Sequence, residues 1–174
     1  LDIAKANATV TANSGTLTYN GANQTVSGFT ASGLVAGETA SVLSGVSASR
    51  TEKNAGTYTT TASGTDSNYN LTFVDGSMLI NKAALTATGN SLSSTYNGAN
   101  QSVSGFTVSG LQGSDTVASL SSVSASGATG KNAGSYTNTV TAGSETNYTV
   151  TTVNGSLDIA KANATVTANS GTLT

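Results

Sequence analysis

Tyr19-Asn20-Gly21-Ala22-Asn23-Gln24-Thr25-Val26-Ser27-Gly28-Phe29 returns as Tyr96-Asn97-Gly98-Ala99-Asn100-Gln101-Ser102-Val103-Ser104-Gly105-Phe106 with one Thr-to-Ser change, and the rest of the chain registers against this pair. The offset is 77 here (96 − 19), 78 for Lys53-Asn54-Ala55-Gly56 against Lys131-Asn132-Ala133-Gly134 (131 − 53), and 79 for Tyr69 against Tyr148 (148 − 69). Two one-residue insertions therefore separate two copies of one module. Residues 1–18 are also identical to residues 157–174, an offset of 156 (157 − 1). The reading is module 1 over residues 1–81, module 2 over 82–160, and the start of a third over 161–174, as expected for a cut from a longer array. Solenoid repeats run at about 20–50 residues and share one continuous core. A period this long lets each copy be a small domain, marginal alone and helped by its neighbours.

Composition narrows the function classes. Only 8% of residues are charged and the net charge is −2, where an ordinary domain carries about 25% charged residues. The six Lys and Arg are scattered, which argues against a nucleic-acid partner, since phosphate binding needs basic clusters. No apolar run approaches the roughly 20 residues of a membrane span. Cys and His are both absent, which removes disulfides, thiol nucleophiles, the commonest zinc ligands and the usual base of hydrolase triads.

The pattern is β throughout. Ala8, Val10 and Ala12 alternate with Thr9 and Thr11, the pattern of a half-buried strand. Asn20-Gly21 and Asn97-Gly98 suit tight turns, so residues 16–19 are expected to form a hairpin with the strand that starts at Gln24. Residues 32–38 are expected as loop with room for one helical turn, and Thr39–Leu43 and Val46–Ser49 as short strands. Tyr69–Val74 and Ser77–Asn81 flank Asp75-Gly76, with Asn154-Gly155 at the same place in module 2, and are expected to form the clearest hairpin.

Comparing copies assigns faces. Met78 and Ile80 match Leu157 and Ile159, while Leu79 between them matches Asp158. The first pair is therefore expected to face in, and Leu1 and Ile3 with it. The buried phase then flips at Lys5, Lys82 and Lys161, which mark joints where the last strand of one module runs directly into the first strand of the next. No Gly, Ser or Pro run there makes a flexible linker. Tyr19, Phe29, Tyr58 and Tyr69 recur as Tyr96, Phe106, Tyr136 and Tyr148; in a chain without Trp they are expected to fill the core.

Ligand chemistry is sparse. The acids Glu38/Asp115 and Asp66/Glu145 recur but stand apart in sequence, and calcium needs several closely spaced oxygen ligands. No catalytic, cofactor or metal residue is assigned, with calcium kept as the only metal worth testing. Lys53 and Lys82 are candidates for a Lys–Asn isopeptide crosslink. Asn20, Asn23 and Gln24 beside a Tyr are the residues a glycan would use.

Tyr-x-Gly, Ser-Gly-Phe, Gly-Glu-Thr, Asn-Ala-Gly-Thr-Tyr, Asn-Tyr and Asp-Gly-Ser-Met-Leu-Ile-Asn-Lys-Ala, in that order, resemble the MBG and YDG repeat modules of large secreted bacterial adhesins. Those modules often carry Pro after the Tyr-x-Gly region; this chain has none. The resemblance covers both modules and implies a stalk segment of a secreted or cell-surface adhesin of the filamentous-haemagglutinin kind, serving adhesion or biofilm formation. The fold expected is an all-β tandem of small sandwich-like, alternatively β-grasp-like, modules joined end to end into an elongated rod. Its partners are neighbouring repeats, with glycans or other copies as further possibilities. Solution scattering at high dilution is expected to give a rod about two modules long, the same with and without calcium; a freely bending particle would contradict the Lys joints.

Overall fold

A computed structural model describes residues 2–171. Leu1, expected to face inward, and residues 172–174 of the expected third module lie outside the described residues. The fold is all-β and tandem, built from several small sheets without a closed barrel. In module 1 the strands are β1 (Ala6–Ala12), β2 (Gly15–Thr18), β3 (Gln24–Ser27), β4 (Phe29–Ser32), β5 (Val46–Glu52), β6 (Gly56–Thr60), β7 (Ala62–Gly64), β8 (Tyr69–Val74) and β9 (Gly76–Asn81). They form three sheets in the orders β4-β1-β8, β2-β9-β6 and β3-β5-β7. The helical content that a β-grasp would need is limited, among the described residues, to 3-10 turns at Ala40–Val42 and Val117–Ser119.

The two sheets centred on β1 and β9 are tied together by one long parallel ribbon. β1 pairs with β8 from Ala6↔Tyr69 to Thr11↔Val74, and β2 pairs with β9 from Gly15↔Met78 to Thr18↔Asn81. The register difference is 63 in both ladders (69 − 6 and 78 − 15). Residues 6–18 and 69–81 thus run side by side and change sheet together at Asn13 and Asp75.

This ribbon corrects both expected hairpins. β8 and β9 are joined by Asp75 alone, too short for the two-residue loop a hairpin requires, and each takes a parallel partner instead. Gly76 is not among the residues with positive φ. It is needed because a Cβ there would sit 2.4 Å from the Asn13 carbonyl oxygen, and at Gly155 a Cβ would sit 2.2 Å from that of Asn90. At the other site, β2 pairs with β9 while β3 pairs with β5. Once β1·β8 has closed the long loop, β2·β9 forms in the same register at little further entropic cost, which outcompetes a local hairpin. Asn20-Gly21 still turns the chain, with Gly21 at φ 77 and the Asn20 side-chain oxygen accepting the Ala22 N–H at 3.0 Å.

Burial follows the alternation where the ribbon covers it. Val10 and Met78 are fully buried, and Ala8, Ala12 and Ile80 nearly so. β1 packs its inward face on Leu43, Val46, Ala48, Ala62 and Tyr69, with Phe29, Ala31 and Leu71 at the margin. The expected strand over Thr39–Leu43 is instead the 3-10 turn, closed by Leu43 N–H to the Ala40 oxygen at 3.2 Å. It drives Leu43 inward and leaves Val42 exposed. Ile3 is 86% exposed rather than inward. Its counterparts Ile80 and Ile159 lie in β9, which pairs with β2 and β6, and in the strand Gly155–Ala160, which pairs with Leu92–Thr95, whereas Ile3 lies outside any strand.

Module 2 repeats the plan with β10 (Ala83–Gly89), β11 (Leu92–Thr95), β12 (Gln101–Val103), β13 (Phe106–Ser109), β14 (Val123–Ala125), β15 (Ala128–Gly130), β16 (Gly134–Asn138), β17 (Val140–Ala142), β18 (Tyr148–Val153) and β19 (Gly155–Ala160). The first insertion explains the extra strand. Val46–Ser49 match Val123–Ser126, after which Gly127, at φ 72, is the added residue and splits the counterpart of β5 into β14 and β15. The bulge leaves backbone groups without ladder partners. Asn138, fully buried, meets the one at Gly127, its side-chain oxygen accepting that N–H at 2.9 Å, and ties it to the neighbouring carbonyls of Gly105 and Asn90, to which its amide donates at 2.9 Å and 3.1 Å. At the same place module 1 has Thr60, also fully buried, whose hydroxyl has no partner.

These two sites should respond oppositely. Asn138→Ala takes the side-chain partner from the Gly127 N–H and the Asn90 carbonyl, while the Gly105 carbonyl keeps the Asn90 N–H at 3.1 Å, and is expected to cost about 2 kcal/mol in denaturant unfolding. Thr60→Val removes an unsatisfied hydroxyl at nearly constant shape and is expected to be neutral or stabilising by up to about 1 kcal/mol.

Candidate functional site: a tyrosine–carboxylate clamp

The described chain divides into two compact units. The first takes in the chain up to Ala84 with Gly110–Ser119 and Glu145–Thr149; the second takes in Leu85–Ser109, Leu120–Ser144 and the chain from Val150. One polar arrangement occurs twice in the first unit.

In each copy the tyrosine that opens β8 or β18 reaches back to the loop before the 3-10 turn. The Tyr69 hydroxyl accepts the Val35 N–H at 3.0 Å and donates to the Glu38 carboxylate. The Tyr148 hydroxyl accepts the Gln112 N–H at 2.9 Å and donates to Asp115 Oδ2 at 2.6 Å. A phenol can do both at once, so it pins the loop whose Leu34 packs against the core of module 1. Below it, Asp66 Oδ1 accepts the N–H groups of Asn68 and Tyr69 at 2.7 and 3.2 Å. The carbonyls of Asp66 and Glu145 receive the ammonium groups of Lys5 at 2.7 Å and Lys82 at 2.6 Å.

The Asp115 copy holds a further ring. Tyr19 is buried, donates its hydroxyl to the same Asp115 Oδ2 at 2.9 Å, and meets the Tyr148 ring edge-on at 5.5 Å and 82°. Asn147 adds a bond from the Ala55 N–H to its side-chain oxygen at 2.9 Å and one from its amide to Asn54 at 3.1 Å. The electrostatics follow from this packing. Burial, then the bond to Asp115, pushes the Tyr148 hydroxyl up to about 12, and the same causes raise Tyr19. The Tyr148 hydrogen bond holds Asp115 below the usual carboxylate range, helped by Tyr19 and by Lys53 and opposed by desolvation. The bond to Glu38 raises Tyr69.

The residues singled out in the sequence fall as follows. Tyr19, Tyr69 and Tyr148 are buried; Phe29, Tyr58, Phe106 and Tyr136 are half-buried. Tyr96 is 40% exposed and is not a core residue, whereas its counterpart Tyr19 is held by Asp115 and the Tyr148 ring. Tyr58 and Tyr136 each donate to the carbonyl four residues upstream, at Asn54 and Asn132, both at 3.0 Å. Lys82 stands alone between β9 and β10, where the buried set passes from Met78 and Ile80 to Ala83, Leu85 and Ala87. Lys5 lies just before β1, and the described residues after Lys161, 162–171, form no strand. Asn97 and Asn154 accept backbone N–H groups, from Ala99 and Val140, at 2.9 Å each. Among glycan candidates, Asn20 is engaged in its own turn and the Gln24 amide donates to the Thr18 carbonyl at 3.0 Å. No group of three or more metal-ligating side chains occurs among the described residues, and no helix there is long and apolar enough to cross a membrane. Sequence reading treated Glu38 and Asp115 as isolated acids; the signal for their role was that each recurs together with Tyr69 or Tyr148.

Two small β modules in tandem, each with a tyrosine clamped to a loop carboxylate, define the class. The MBG domain (YGX type) family matches the chain at residues 8–79 and again at 85–158, and the chain belongs to that family. Its copies are repeat modules of the kind found in adhesin-like proteins. The chain matches no curated protein and no solved structure.

The clamp gives stability a defined pH dependence. Asp115 is depressed in the fold, so its contribution is present above the ordinary carboxylate range and lost as pH falls through its lowered value. Tyr148 is raised, so its contribution is present below about pH 10 and lost as pH climbs towards 12. Equilibrium unfolding followed across pH is expected to show both limbs, and Asp115→Asn to remove the Asp115 share of the acid limb while only reducing the alkaline one, which burial of Tyr148 sustains.

Proposed function

We propose that the chain is a load-carrying spacer of a secreted or cell-surface bacterial adhesin, an extended stalk that holds an adhesive region at a distance and performs no catalysis. The observation that carries this reading is the parallel ribbon. Residues 6–18 begin the module, residues 69–81 end it, and their partners run from Ala6↔Tyr69 to Thr18↔Asn81. Tension entering at Ala6 and leaving at Asn81 pulls two parallel strands in opposite directions along their length, so the ladder bonds of both sheets bear load together rather than in turn. The single residue Lys82 between β9 and β10 passes that tension on without a slack linker. Neighbouring repeats are the primary partners in this account.

The reading is tested against direct carbohydrate recognition on a glycan array. No binding above background is expected, with Asn23→Ala indistinguishable from the natural chain. Specific binding that Asn23→Ala abolishes would overturn the spacer reading in favour of a glycan-binding repeat.

A further inference from the structure

The two clamps in the first unit are alike except in what they hold. At Asp115–Tyr148 the space beside the carboxylate is filled by Tyr19, whose turn glycine comes so close that a Cβ on Gly21 would lie 2.8 Å from the Gln112 oxygen. At Glu38–Tyr69 the corresponding space is an open cavity of about 440 Å³, lined by Ile3, Lys5, Val35, Glu38, Asn68 and Tyr69. The residues that recognise Tyr19 all have counterparts there: Glu38 for Asp115, Tyr69 for Tyr148, Asn68 for Asn147. The second unit carries the matching object. Tyr96 is the counterpart of Tyr19, is 40% exposed, and leads into Asn97-Gly98 with Gly98 at φ 79 against 77 for Gly21. Asn132-Ala133, which repeat Asn54-Ala55, belong to the same unit.

We propose that the Glu38–Tyr69 cavity receives the Tyr96-Asn97-Gly98 turn of a second copy of this chain. The Tyr96 ring stacks edge-on against Tyr69, its hydroxyl donates to Glu38, which has acceptor capacity beyond the Tyr69 bond, and Asn68 bonds Asn132 and Ala133 as Asn147 bonds Asn54 and Ala55. Donor and acceptor surfaces are different parts of the chain, so the contact is heterologous and propagates head to tail. One substitution limits its strength. Ala36 stands where the occupied copy has Gly113, and a Cβ on Gly113 would lie 3.1 Å from the Gly21 Cα. Ala36 also holds a positive φ of 44, so Ala36→Gly removes a crowding methyl without disturbing the loop. The contact does not depend on the spacer reading, and a glycan-binding repeat could join copies in the same way.

Light scattering and sedimentation across micromolar to millimolar chain test this. The natural chain is expected to gain mass steadily with concentration, without stopping at a dimer, and Ala36→Gly to shift that rise to concentrations about tenfold lower. Tyr96→Ala and Val35→Arg alter exposed residues, and circular dichroism checks their folding. Each is expected to remain monomeric alone, while the two mixed form a heterodimer and nothing larger, since one keeps only the cavity and the other only the tyrosine. Monomeric mass for both the natural chain and Ala36→Gly throughout the range would overturn the proposal, as would association that survives Tyr96→Ala, or a mixture that stays monomeric.

Discussion

A constant register of 63 residues between two extended segments organises the module. Residues 6–18 and 69–81 keep step through a change of sheet, so the contacts that shape one end of the module also shape the other. The step itself demands close approach. Gly76 lies against the Ala12 and Asn13 carbonyls, and the Ser77 N–H is taken by the Ser14 hydroxyl at 3.0 Å. Module 2 repeats the arrangement, with Gly155 against Gly89 and Asn90 and the Ser156 N–H on Ser91 at 3.0 Å. There β11 and β19 pair from Leu92↔Leu157, a difference of 65 (157 − 92). The two added residues therefore lengthen the excursion between the ribbon strands and leave the ribbon intact.

That excursion is where the copies were free to diverge, and divergence had local physical consequences. Gly127 breaks one strand into two, and Asn138 appears where module 1 has Thr60, accepting the Gly127 N–H at the break and donating to the Asn90 and Gly105 carbonyls beside it. The pair behaves as a bulge and its plug. In the loops that carry Glu38 and Asp115, a hydroxyl shared between a backbone N–H and a carboxylate adds a polar anchor, beside the packing of Leu34 in the first. This explains how a chain so poor in charge retains acids at matching places.

Much of this was legible in the sequence, and what was not has a common cause. Alternation identified the inward faces of β1, β9 and β19, because period two is a property of each strand alone. It could not identify partners. Asn20-Gly21 and Asp75-Gly76 carry hairpin chemistry, yet parallel partners about sixty residues away prevailed once the first ladder had closed the loop. The exposure of Ile3 and Tyr96 was hidden for a related reason: equivalence between copies predicts the same burial only when both positions have the same neighbours, and Tyr19 has Asp115 and Tyr148 as its own. The tyrosine–carboxylate pairs could have been inferred from Glu38 recurring as Asp115 alongside Tyr69 as Tyr148, had the acids been read with the aromatics rather than as possible metal ligands.

The central claim, that the ribbon makes each module a shear-loaded clamp, is tested most directly by pulling single molecules along two paths. Handles at Ala6 and Asn81 load the ribbon end to end; handles at Thr18 and Asn81, register partners at one end, peel it open pair by pair. The account predicts that the first path ruptures in one step, lengthening the molecule by roughly 220 Å, at a force several-fold above that of the second. Equal forces on the two paths, or gradual lengthening when the natural ends are pulled, would contradict it.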